Sequence, residues 1–133
     1  MTDRLELARE TFAALNNRDV DGFIAAFAPD AEWWPLRSST EGPYRGHAGI
    51  RAYFADTAEM FEHLRADLEE IHQADDVMLA FGRLDAQGRG SGARVELVIA
   101  WVLRFGADDK VIWAKSFADR DEAIAECGLD PAQ

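Results

Sequence analysis

Beyond Leu64 the apolar residues of this chain stop recurring at helical spacing and take on a strand-like pattern, which persists almost to the C-terminus. Four strand-like stretches follow, at about 64–72, 77–86, 94–105 and 111–117. Ala74-Asp75-Asp76 and Gly106-Ala107-Asp108-Asp109 read as tight connections, and 87–92, Gln-Gly-Arg-Gly-Ser-Gly, reads as a mobile hairpin tip. Strands joined this way form a meander, and long strands twist and curl, so one face of the sheet becomes concave.

The residues before Leu64 must cover that face. Leu5, Ala8, Phe12 and Leu15 recur at helical spacing behind a capping-box pattern at Asp3 and Glu6. Asn16-Asn17-Arg18 breaks the helix, and Asp19 caps a shorter one carrying Val20, Phe23, Ile24 and Phe27, stopped by Pro29. A short strand runs from Ala31 to Trp34, then a loop over 36–46 rich in Ser, Gly and Pro. A third helix places Ile50, Tyr53, Phe54, Thr57 and Phe61 on one face. At the far end Asp119 and Glu122 open a last short helix that Gly128 closes. The fold class is therefore α+β, a cone-shaped curved antiparallel or mixed sheet packed on three helices plus a short C-terminal helix. A concave sheet under helices leaves a cavity, where ligands usually bind.

The 133 residues read as one domain over 1–133, long enough to bury roughly two-thirds of the unfolded surface. With 25 acidic against 14 basic side chains the formal charge is −11, and the basic footprint of a nucleic-acid binder is missing. The single cysteine, Cys127, has no internal partner, the N-terminus has no apolar signal core, and the longest apolar run, 97–103, is too short to span a bilayer. A cytoplasmic protein with no membrane segment is expected.

Several local sequences resemble the nuclear transport factor 2-like superfamily and, within it, the SnoaL-like group. They are Ala14-Leu15-Asn16-Asn17-Arg18-Asp19-Val20-Asp21, Phe27-Ala28-Pro29-Asp30-Ala31-Glu32-Trp33, Gly42-Pro43-Tyr44-Arg45-Gly46-His47, Trp101-Val102-Leu103-Arg104-Phe105, and the closing strand through Phe117 and Asp119. The resemblance spans nearly the whole chain and implies the cone fold. It does not imply one function, because such folds host isomerases, cyclases, epoxide hydrolases, dehydratases and noncatalytic proteins.

Ketosteroid isomerase relatives carry a general-base carboxylate just before the proline ending the first strand, where this chain has Trp34 and Pro35. Their protonated acid falls at Trp101 and their oxyanion tyrosine near Thr11. An indole cannot abstract a carbon-bound proton. The arginine and two aspartates of limonene epoxide hydrolase relatives fall near Ala80, Gly82 and Ser116, and the late-strand aspartate and histidine of SnoaL-type cyclases have no counterpart. A one-residue slip of register would bring Lys115 or Arg83 inward.

The remaining acid–base candidates are His47, Tyr53, Arg83 and Glu96. His47 begins the third helix and serves equally as a cap. Tyr53 and Tyr44 are rim positions with a hydroxyl, or packing residues. Glu96 amid apolar neighbours is either an acid with a raised pKa or an outward carboxylate paired with Arg94, Arg83 or Lys115. No metal-ligand spacing and no phosphate loop is present, so no metal and no cofactor is expected.

Alternation sends Trp34, Leu97, Ile99, Trp101 and Ser116 to the concave side with Phe54, and Trp33, Glu96, Val98, Ala100 and Val102 to the convex side. The first set, with Tyr44, either binds a flat or polycyclic hydrophobic metabolite or simply fills the cone. The second set, a face of valines and a tryptophan, points to a homodimer. Two readings stay open: a SnoaL-like isomerase, cyclase or hydrolase, and a noncatalytic binding or dimerisation module.

Overall fold

In the computed structural model, which describes residues 3–36 and 42–129, the change of period at residue 61 marks the passage from helices to sheet. Helix α1 runs Arg4–Asn16 and α2 Val20–Ile24; then come β1, Phe27–Trp34, β2, Tyr44–Arg45, and α3, Gly46–Met60. Strands β3 (Phe61–Ala74), β4 (Val77–Gly88), β5 (Arg94–Phe105) and β6 (Val111–Phe117) follow, closed by α4, Arg120–Cys127. The sheet order is β2-β1-β6-β5-β4-β3, antiparallel throughout except that β1 runs parallel to β6. The sheet is therefore mixed, and the parallel pairing is possible because the chain passes through α3 and four strands between β1 and β6.

Capping chemistry sets the helix starts. Asp3, Asp19 and Asp119 each turn a carboxylate back onto the N–H of Leu5, Gly22 and Asp121 respectively. Gly128 ends α4 in the left-handed region, at φ 73°. The Arg4 guanidinium reaches Asp76 at 3.1 Å and Asp109 at 2.7 Å, tying α1 to the turns that follow β3 and β5.

Three expectations are corrected. Phe27 opens β1 instead of closing α2; Pro29 lies where β1 changes register against β6, so its missing N–H breaks no ladder bond. Within the expected loop 36–46, Tyr44 and Arg45 pair with Trp33 and Glu32 as an edge strand. The helices do not all share one face. Ala123 of α4 packs with Leu79, Phe81, Ala100, Val102 and Phe117, whereas α1, α2 and α3 cover the face carrying Met78, Ala80, Ile99 and Trp101. Ala100 and Val102, expected bare on the convex face, are thus buried beneath α4. Among the described residues no helix is long and apolar enough to cross a membrane.

Candidate functional site

The concave face is set by β5, whose Val95, Leu97, Ile99 and Trp101 stand opposite Ala86, Leu84, Gly82 and Ala80 of β4. Small side chains on one strand against large ones on the next leave room above the sheet. That room is a cavity of about 400 Å³, within the range of small-molecule sites.

Its wall is assembled from every layer. Val95, Leu97, Ile99 and Trp101 come from β5, Leu84 and Ala86 from β4, and Leu64 and Ala66 from β3. Ser116 comes from β6, and Trp33, Pro35 and Leu36 from β1 and beyond. The helices supply Leu15, Tyr53 and Thr57. Trp101, 2% exposed and edge-on to Phe12 at 4.7 Å, is a fixed floor. Val95 and Leu97 line the same cavity yet are 47% and 40% exposed, so it opens toward the start of β5.

Three of the aromatic assignments change. Trp33, not Trp34, faces the cavity: Trp33 is paired with Ala114 of β6, two residues before Ser116 on the same face. Trp34 pairs with Lys115, whose ammonium lies 5.2 Å from its ring on the other face, and its Nε1 donates to Glu32. Phe54 is buried against Phe23 at 5.2 Å and lines a separate groove with Arg18, Val20 and Arg51. On α3 it is Tyr53 and Thr57, one turn apart, that reach the cavity. Tyr44 stacks edge-on against Tyr53 at 5.5 Å, and its hydroxyl meets Asp56 at 2.7 Å. It is one layer removed from the cavity.

The four acid–base candidates separate. Tyr53 is on the wall, its ring 5.5 Å from Trp33 at 82°. His47 Nε2 sits 2.9 Å from the carbonyl oxygen of Phe27; a carbonyl only accepts, so that nitrogen carries the proton and is spent on tying α3 to β1. Arg83 is exposed on the convex face, 3.4 Å from Glu69. Glu96 is exposed there too, across from Asp85, which Arg94 holds at 2.7 Å. No slip turns Lys115 or Arg83 inward.

Among the described wall residues none carries a formal charge. The shifted carboxylates lie elsewhere: the His72 hydrogen bond holds Glu70 below its ordinary value, and Arg94 does the same for Asp85. Thr57 gives its hydroxyl to the carbonyls of Tyr53 and Phe54. Among the described residues no cluster of His, Cys, Asp and Glu is spaced to hold a metal. The parts of the wall that alternation did not reveal, Leu15, Pro35, Thr57 and Ala66, come from elements whose approach depends on the tertiary fold.

A sequence model described as the SnoaL-like domain matches residues 8–114. No curated protein matches the chain. Among solved structures, an NTF2-like protein of unknown function from Burkholderia pseudomallei is similar at 21% identity and a TM-score of 0.80, over 97% of this chain and all of that one. TerC, co-crystallised with polyporic acid, is similar at 22% identity and 0.78, over 93% and 96%. Rv0760c of Mycobacterium tuberculosis, in complex with estradiol-17β-hemisuccinate, is similar at 15% and 0.74, over 89% and 95%. At these identities the likeness is one of fold.

Proposed function

The chain belongs to the SnoaL-like domain family, and from that premise we propose that it binds a small, uncharged, flat hydrophobic molecule between Trp33 and Trp101. One observation carries the reading: a 400 Å³ space walled by two indoles, a phenol and aliphatic side chains. Such a wall gains free energy by removing apolar surface from water and gives nothing to a charged ligand. Two of the similar structures were solved with ring-bearing small molecules, both acids, which supports a flat ring system as the ligand body and does not bear on its lack of charge. If the site also catalyses an isomerisation, cyclisation or hydrolysis, Tyr53 is the acid–base candidate in reach of the ligand; Tyr53→Phe then abolishes turnover and leaves binding in place.

Titration with N-phenyl-1-naphthylamine, a neutral fluorescent aromatic, tests the binding claim. Saturable enhancement at one probe per chain is expected. Ala86→Trp, which fills the cavity from β4, should weaken it by at least about tenfold, or 1.4 kcal/mol. Unsaturable enhancement, or a plugged variant that binds as before, sinks the proposal. Native mass spectrometry of protein purified from cells then identifies the natural occupant.

For the convex face we propose a second copy of this chain. Val98 there is 55% exposed and lies outside the set of residues that α4 packs against, and the half-buried Trp34 is on the same face. Arg83, Glu96, Lys115 and Glu32 interleave both signs of charge across it. A two-fold axis can set such a surface against itself with acid facing base. Light scattering is expected to give twice the chain mass, and Val98→Glu to give the monomer; a monomeric wild type overturns this assignment.

A further inference from the structure

The groove that Phe54 lines on the outside of the helices is a second concave surface, with a volume of about 400 Å³. Its residues are Arg18, Val20, Arg51, Phe54, Ala55 and Ala58. Arg51, Ala55 and Ala58 follow one another along one stripe of α3, at i, i+4 and i+7. Ala55 and Ala58 are exposed, where a solvent-facing helix ordinarily carries long polar side chains. Their small size leaves a trough, and Phe54 and Val20 give it an apolar floor. Arg18 and Phe54 also border a void of about 10 Å³ that Leu15, Thr57 and Leu64 close toward the cavity. That void has room for one water at most, so groove and cavity are separate chambers.

The ionisable side chains lining the groove are both guanidiniums, in a chain whose formal charge is −11. Arg51 is already paired with Asp21 at 2.8 Å, and Asp19 is turned onto the Gly22 N–H. Arg18 is different. It gives one N–H to the carbonyl oxygen of Glu62 at 3.3 Å and, among the described residues, pairs with no carboxylate. A guanidinium has five N–H donors, so most of the fork stays available. The Arg18 backbone sits at φ 56°, directly after Asn17 caps α1, where Gly is the usual occupant. The strained position holds a cation without a carboxylate at the edge of an apolar trough, which suits a ligand of opposite charge and apolar body.

We propose that this groove is a second binding site, for a small organic carboxylate with an apolar body. The body lies over Phe54, Ala55 and Ala58, and the carboxylate takes paired N–H bonds from Arg18, a geometry that a guanidinium offers and an ammonium does not. The inference goes beyond the cavity reading and does not depend on it.

The probe is 8-anilino-1-naphthalenesulfonate, the sulfonated counterpart of N-phenyl-1-naphthylamine. Saturable enhancement at one probe per chain is expected in the wild type and equally in Ala86→Trp, whose cavity is plugged. Arg18→Ala should weaken binding by at least about tenfold, the worth of one charge-assisted hydrogen bond, and Arg18→Lys should retain part of the affinity. Ala55→Glu, on the exposed face of α3, should weaken it as well without touching Arg18, and should leave N-phenyl-1-naphthylamine binding unchanged. As competitors, 2-naphthoate should displace the probe, and 2-naphthamide, the same ring without the charge, should need about tenfold more. In the ¹⁵N-labelled wild type the amides of Ala55 and Ala58 should shift with 2-naphthoate, a readout independent of whether any variant folds. Unsaturable enhancement, binding that needs an open cavity, tolerance of both Arg18→Ala and Ala55→Glu, equal competition by the amide, or Ala55 and Ala58 amides that ignore naphthoate each overturn the proposal. If N-phenyl-1-naphthylamine fails to bind while the sulfonate still binds through Arg18, the cavity reading falls and the groove stands; the reverse result removes the groove alone.

Discussion

Gly82→Ala is expected to destabilise the protein by about 3 kcal/mol, the upper range for forcing extra volume into a packed interior. A Cβ built on Gly82 overlaps the carbonyl oxygen of Asp67 and lies 3.0 Å from its carbon and 3.1 Å from Cζ3 of Trp101. The first two are backbone atoms of the neighbouring strand, so no rotamer change relieves the contact. The cause is visible in the pairing. Leu68 faces Gly82 and Glu70 faces Phe81, so Glu69 is an extra residue in β3. Such a bulge bends the strand and tips a carbonyl toward its neighbour. Only a residue without a side chain fits beneath it. The same bend curves the sheet under Trp101, so the glycine is part of what makes the cavity. A urea titration should show a lower midpoint at unchanged slope. A loss below about 1 kcal/mol would mean that β3 yields easily and that the bulge does not fix its path over Gly82.

Asn16→Leu is expected to cost about 2–3 kcal/mol by leaving two backbone groups unpaired. The Asn16 side chain donates from Nδ2 to the carbonyl of Ala66 at 2.8 Å and accepts from the Ala66 N–H at 2.7 Å. An amide has the donor and acceptor of a peptide group in the same spacing, so this residue acts as one residue of a missing strand. It closes the outer edge of β3, which has no strand beyond it. Ala66 is 1% exposed, so water is a poor substitute for either bond. Leucine matches the size of asparagine without its polar atoms, which isolates the bonds from the packing. Hydrogen exchange at the Ala66 amide should accelerate in the variant well before global unfolding. An unchanged Ala66 protection factor would show that the amide pair is dispensable.

Both residues were visible in the sequence, yet neither could be valued there. Asn16 reads as the end of a helix, which it is, and its second duty lies 50 positions away. Gly82 reads as one of several strand glycines until the bulge opposite it is known. The strands themselves were legible, because 94–105 and 111–117 are short runs rich in β-branched and aromatic residues set between turn signals, and those two ranges recur unchanged in β5 and β6. The N-terminal part of β1 was not. Phe27 continues the helical stripe of Val20, Phe23 and Ile24, and only parallel pairing with Val111 makes it a strand.

The candidate site divides along the same line. Alternation within β5 placed Leu97, Ile99 and Trp101 on one face, and all three stand on the cavity wall beside Ser116. The period of 2 says which residues share a face and is silent on which face is the inner one. For β5 the neighbouring strands carry the same pattern, and the answer is over-determined. For β1 the irregularity between Phe27 and Glu32 breaks the count, so the inward residue is set by Trp33 meeting Ala114 across the sheet. A parity change of one residue exchanged Trp34 for Trp33, and with it an indole bonded to Glu32 for one that has no partner among the described residues.

The amino-acid sequence by itself determined the kinds of element, their order and the apolar character of the surface that the long strands enclose. These depend on local periodicity, caps and turn residues, which act over a few positions. Tertiary structure alone decided the inner face of β1, the packing of α4 on the opposite side of the sheet, and the closing of the β3 edge by a side chain. Each of these depends on a contact between distant parts of the chain, and its free energy exists only once the fold has brought the partners together.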